Sequence, residues 1–331
     1  MDDRGLVLSL VDRYAFAEVA AVVTLLDDLD DGARERAERL CEFGLRLLEL
    51  DAEDFDQAPG VPTDLAERAR RSWIPQRPDA PDRGALDSMV PAFGLMLEVI
   101  AVRWQHGDMS RALAVAHILN EYLPMLVWEP VLGHAADPAR LGRHVLGPGS
   151  RWGTDERECE HGGLERKAAR IAVRVAERPV AEWQSYLDRQ HSHIADALAA
   201  CAGFCSVDCH VRTRLPEAVR RTLRTRIRVA RRLAGSPLVA LRHAAPVGHG
   251  FGVPNEGEVL TAWEQTRDRV DDQSLPADES AVARRIRAAD GFALPGLPTF
   301  ISAVAGRAVP QDTLIADVRD RLAATLTARQ A

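Results

Sequence analysis

Cys201, Cys205, Cys209 and His210 crowd the run CAGFCSVDCH, and Cys159 and His161 sit together in ERECEHGG. Thiolates and imidazoles at this density suit a zinc or iron centre. Three cysteines at four-residue steps fall within the range of paired zinc ligands, and Cys159, His161 or His210 would complete the tetrahedron. Cys159 with the three later cysteines would equally hold an iron–sulfur cluster. Cys205–His210 is one residue longer than the c-type haem attachment signature. The expected cofactor is therefore zinc, then an iron–sulfur cluster or haem. A plainer reading competes and slightly outweighs it: on an unbroken helix, positions 201, 205 and 209 form one stripe of buried core cysteines.

The second chemical feature is cationic. Ten arginines and one acid, Glu217, lie between Arg212 and Arg242, in a chain of net charge −7. On a helical wheel Val219, Leu223, Ile227, Ala230 and Leu233 share one face. Arg220, Arg224, Arg228 and Arg231 share the other, within reach of one flat anion. Such a helix suits an anionic ligand, an acidic protein surface or, less well in an acidic chain, nucleic acid. Arg226 falls inside the apolar face, so its guanidinium needs a carboxylate or phosphate partner. Residues 1–60 hold sixteen acids and six arginines. They are the expected internal partner, within one chain or between two copies of a homodimer.

His243 and His249 follow the arginine run in GSPLVALRHAAPVGHGFGVPNE, residues 235–256. They are candidate general bases. Asp27-Asp28-Leu29-Asp30-Asp31 matches the Asp-Asp-x-x-Asp pattern by which isoprenoid synthases hold magnesium diphosphate. No second metal motif accompanies it, and Gly32 follows at once, so helix-end turn chemistry is the better reading. No GxGxxG, Walker, HExxH or GxSxG motif occurs.

Helices must position these groups. Apolar residues recur at three- and four-residue steps in AFAEVAAVVTLL and RAERLCEFGLRLLEL, broken at 30–32, and again in Pro91–Gln105 and Met109–Leu126, broken at His106-Gly107-Asp108. Each pair reads as an αα-hairpin. Further helices are expected near 164–177, 180–202, 216–234, 257–271, 278–290 and 311–328. Residues 235–256 read as one long irregular loop, with Pro237–Leu241 the best strand candidate. The expected fold is all-α, a multi-helix bundle or array of helical hairpins. A glycine-rich linker at 147–163 would divide an acidic helical half, 1–146, from a C-terminal half, 164–331, that carries the cysteines and arginines. With 46% hydrophobic residues a sizeable core can form. No apolar stretch reaches the roughly 18 residues that span a membrane. The acidic N-terminus does not resemble a signal peptide, which points to the cytoplasm.

Three functions fit. The first is a binding or regulatory protein that presents the arginine helix to an anionic partner, braced by zinc. The second is a specialised-pathway enzyme acting on an anionic small molecule, dependent on a metal or haem, with His243 and His249 in its site. The third is a helical scaffold for protein–protein contacts. An enzyme should show a pocket of roughly 300–1,000 Å³ where the histidines and arginines converge.

Overall fold

Helical periodicity over most of the chain becomes helix in the computed structural model. It describes residues 3–27, 29–77, 80–137, 140, 192, 195, 196, 199, 215–244 and 252–328. Among these are twelve α-helices and no strand: α1 Asp3–Asp12, α2 Phe16–Val22, α3 Asp31–Leu48, α4 Thr63–Arg70, α5 Val90–Gln105, α6 Met109–Leu132, α7 Glu217–Ala234, α8 Pro237–Ala244, α9 Glu256–Val270, α10 Ala277–Ala283, α11 Leu297–Ala305 and α12 Leu314–Thr327. No helix among the described residues is long and apolar enough to cross a membrane.

Local chemistry sets the helix starts. Asp30 caps α3 by accepting from Ala33 N at 2.8 Å, the turn chemistry expected of the Asp27–Asp31 run. Asp108 caps α6 in the same way, accepting from Arg111 N. Asn255 and Glu258 form a reciprocal capping box on α9. Gly107, at φ +69, turns α5 back on α6.

Helix α6 is the spine. It packs against α5, α7, α8 and α11, and Leu123, Met125, Leu126, Val127 and Trp128 on it have essentially no exposed surface. An α-helix apolar all round belongs inside a larger core. One buried cluster runs from Val7 to Leu326. The last helix, α12, packs on α1, α3, α4 and α5, so chain start and chain end share a core. The boundary at 147–163 lies outside the described residues.

Within 235–256 the structure differs from the sequence reading. Pro237–Ala244 is a helix, not a strand or the start of an irregular loop. A short apolar run is ambiguous by period alone. Proline is comfortable at a first helical position, and Leu238 N, which has no partner within its own helix, donates to Thr266 Oγ1 at 3.0 Å on α9. Helix α6 also runs to Leu132, past Pro124 and Pro130, where the pattern suggested a stop near Leu126. Packing on four neighbours outweighs the two lost backbone hydrogen bonds.

Arg226 lies against the apolar face where the wheel puts it. Its Nη1 donates to the Ala305 carbonyl at 3.3 Å, at the C-terminus of α11. The negative end of the helix dipole takes the carboxylate's role, while burial pulls the guanidinium's pKa below its usual value. Gly306, at φ +72, makes room: a Cβ there would lie 2.1 Å from Arg226 Nη2. Gly306→Ala is therefore expected to cost about 2 kcal/mol, part left-handed backbone strain and part displaced guanidinium. In an Arg226→Ala background the cost should fall to about 1 kcal/mol, the backbone share alone. Urea unfolding of the four proteins closes the cycle, and additive effects would show that Arg226 does not occupy that space.

Candidate functional site

Four helical elements converge on one cleft of about 470 Å³. Helix α6 contributes His117, Asn120, Glu121 and Pro124, which share a face at steps of three and four. Helix α7 contributes Arg231, and α8 contributes Arg242 and His243. Ser192 and Asp196, one helical turn apart, form the remaining wall. Trp128 Nε1 on α6 donates to the Ala195 carbonyl at 2.8 Å and ties that wall to the spine.

Two imidazoles face each other in the cleft. The rings of His117 and His243 are 5.7 Å apart, centroid to centroid, and inclined at 75°. His117 Nε2 lies 3.2 Å from Glu121 Oε1. Arg242 Nη1 stands 3.4 Å from His243 Nδ1. Arg231 makes a two-pronged contact with Asp196, Nε to Oδ1 at 2.9 Å and Nη2 to Oδ2 at 2.7 Å.

Three polar atoms on this wall are buried with no hydrogen-bond partner among the described residues: His117 Nδ1, Asn120 Oδ1 and Arg242 Nε. Buried polar atoms are nearly always paired, by protein, water or ligand. Pro124 sharpens the pattern, because it has no N–H to offer the Asn120 carbonyl one turn earlier.

The other arginines turn to the protein. Arg220 pairs with Glu217 within its own helix. Arg228 Nη1 reaches Glu279 Oε1 on α10 at 3.0 Å, and Glu279 is almost fully buried. Thr225, donating at 2.6 Å, and the nearby Arg224 hold the Asp278 carboxyl below its usual range. Among the described residues, carboxylates that meet these arginines come from α7 itself, Asp196, α10 and Asp272 in the turn before α10. Several acids of residues 1–60 pair with other arginines, Asp51 and Asp54 with Arg46 and Glu49 with Arg103. Net charge told the sign of the partner, whereas packing chose its address.

Of the other expected site residues, His249, Cys159, His161, Cys201, Cys205, Cys209 and His210 lie outside the described residues. The free Cys41 is buried in the core, where burial pushes its thiol up to about 12. Among the described residues no group of three or more His, Cys, Asp or Glu is placed to hold a metal ion. His117, Asn120, Glu121, Ser192 and Asp196 were missed by the sequence reading. Their signal was available in His117-x-x-Asn-Glu-x-x-Pro124, a polar face closed by proline in an otherwise apolar helix. No family model, curated protein or solved structure matches the chain.

Proposed function

We propose that this protein is an enzyme that moves a proton on an anionic small molecule held in the cleft between α6, α7 and α8. The observation that carries this reading is His117. A carboxylate only accepts hydrogen bonds, so Glu121 draws the imidazole proton to Nε2. A neutral ring then leaves its lone pair on Nδ1, and Nδ1 is the atom buried without a partner. A base whose far nitrogen is fixed by a carboxylate, on a side chain that lines a cavity, is an arrangement suited to general-base catalysis. Arg242, half-buried with Nε unpartnered, is the anion holder, and Asn120 supplies an amide to read a neighbouring polar group. His243, face to edge with His117, would shuttle the proton onward.

The arginine helix as a surface for a partner is less well supported, because Arg220, Arg226, Arg228 and Arg231 are already engaged and would have to leave those groups. A zinc site among the cysteines and histidines of 159–210 is an independent proposal on which this one does not depend.

Thermal unfolding in the presence of individual small carboxylates and phosphate esters tests the site. At least one is expected to raise the midpoint saturably by several degrees, since a ligand at 100 times its Kd adds about 2.7 kcal/mol. The rise should vanish in Arg242→Met and survive in Arg228→Ala. For that ligand, exchange of a ligand C–H proton with solvent should be fast in the wild type and lost in His117→Asn. Protection that persists in Arg242→Met would overturn the assignment, as would the absence of any protecting anion.

A further inference from the structure

A second cavity, of about 580 Å³, lies on the other side of the same helix wall. Its floor is apolar: Phe55, Met89, Leu95 and Met96 line it, and each is at least 95% buried in the protein. Ile118 and Tyr122 of α6 face it, one residue round the helix from His117 and Glu121, which face the polar cleft. Glu121 and Ser192 line both cavities. The two volumes therefore adjoin at the carboxylate that orients His117. Methionine side chains adapt their shape and suit a chamber that receives a flexible apolar group.

The charges of the two chambers differ. The polar cleft holds Arg231, which is taken up by Asp196, together with Arg242, both histidines and Glu121. Among the described residues, the charged groups lining the apolar chamber are all carboxylates: Glu49, Asp51, Glu53 and Glu121. Of these, Glu49 lies 2.7 Å from Arg103, and Asp51 lies 3.2 Å from Arg46. The arginines stand behind the rim and do not line the chamber. A ligand whose anionic head sits by Arg242 can extend an uncharged body past Glu121, but a second anion at the far end would meet carboxylates.

We infer that the two cavities hold one elongated ligand, an amphipathic monoanion with its head in the histidine–arginine cleft and an apolar body in the methionine-lined chamber. The inference rests on the proposed reading of the cleft and adds the substrate class to it. Burial of each methylene in the chamber tightens binding about threefold to fourfold, until the chamber is full.

Calorimetric titration with potassium acetate, hexanoate, decanoate and the ten-carbon dicarboxylate sebacate, all below micellar concentration, separates the outcomes. The expected order is decanoate tightest, hexanoate next and acetate weakest, with sebacate at least tenfold weaker than decanoate. Ala92→Phe, which fills the chamber from α5, should bring decanoate down toward acetate and leave acetate unchanged. Arg242→Met should weaken all of them. Equal binding of acetate and decanoate, lost in Arg242→Met, would overturn the inference while the cleft reading stands. Decanoate binding that is indifferent to Arg242→Met but lost in Ala92→Phe would remove the cleft reading and with it the single-ligand proposal. Sebacate binding as tightly as decanoate would show that the acidic rim selects nothing.

Discussion

Asp137→Ala is expected to destabilise the protein by about 3–5 kcal/mol, the range for breaking a buried ion pair from one side. Arg83 Nε donates to Asp137 Oδ2 at 2.9 Å, and Arg83 Nη2 donates to Oδ1 at 2.8 Å. The side chains are 5% and 0% exposed. Planar guanidinium against planar carboxylate is the geometry in which such a pair repays its desolvation. It also joins two irregular stretches, the turn before α5 and the segment just beyond α6, where Asp137 N donates to His134 Nδ1 at 3.1 Å. Removing the carboxylate takes the buried counter-charge from a guanidinium that cannot lose its proton. Arg83→Met should cost less, because Asp137 keeps Arg140 at 3.5 Å. Arg83→Met with Asp137→Leu should recover much of the loss, since no unpaired charge is left. Urea midpoints at constant slope measure all three. A cost below 1 kcal/mol for Asp137→Ala would mean that water reaches the site and the pair is not buried in solution.

The helices and their hairpins were legible because they depend on local signals. The three-and-four spacing, Asp30, Asp108 and Gly107 each act within one or two turns, and the breaks fall where the sequence reading put them. Less legible were elements whose local signals compete. Pro237–Ala244 carries a strand-like apolar run, and only its docking on α6 and α9 makes it a helix. Pro130 looks like a stop, yet burial of Trp128 and Leu132 carries α6 through it.

The cleft is harder still, because His117 and His243 are 126 positions apart and neither stands in a motif. A lone histidine on a helix is ordinary. What marks His117 is the carboxylate on one nitrogen and the absence of a partner on the other, and both are facts of packing. Arg226 shows the limit of charge reasoning from another side. The wheel placed it correctly within the apolar face, but a helix C-terminus satisfied it, and no count of acids reveals where helix ends will lie.

Glu98→Gln is expected to remove a pH dependence from the protein's stability. Glu98, on α5, is 3% exposed. Its carboxylate brackets the first turn of α12, accepting from Ile315 N at 3.0 Å and Ala316 N at 2.9 Å. Thr313 makes no side-chain cap there, so Glu98 supplies the cap from another helix. Burial pushes its pKa from 4.5 up to about 7, against the pull of the two backbone N–H groups. The folded state thus holds the proton more tightly than the unfolded chain does. The resulting stabilisation is fully present below pH 4.5 and is lost as pH rises through 7, about 3 kcal/mol at 1.36 kcal/mol for each pKa step. Glu129 shifts in the same direction, chiefly through burial. His106, its pKa lowered first by burial, works the opposite way. The comparison with Glu98→Gln isolates the one group. At pH 5 the variant should be about 1 kcal/mol less stable, having lost one acceptor from a helix terminus. By pH 8 the wild type should have fallen about 2–3 kcal/mol further than the variant, so that the two curves cross. Parallel curves from pH 5 to 8 would mean that the helix N-terminus stabilises the carboxylate enough to cancel its burial.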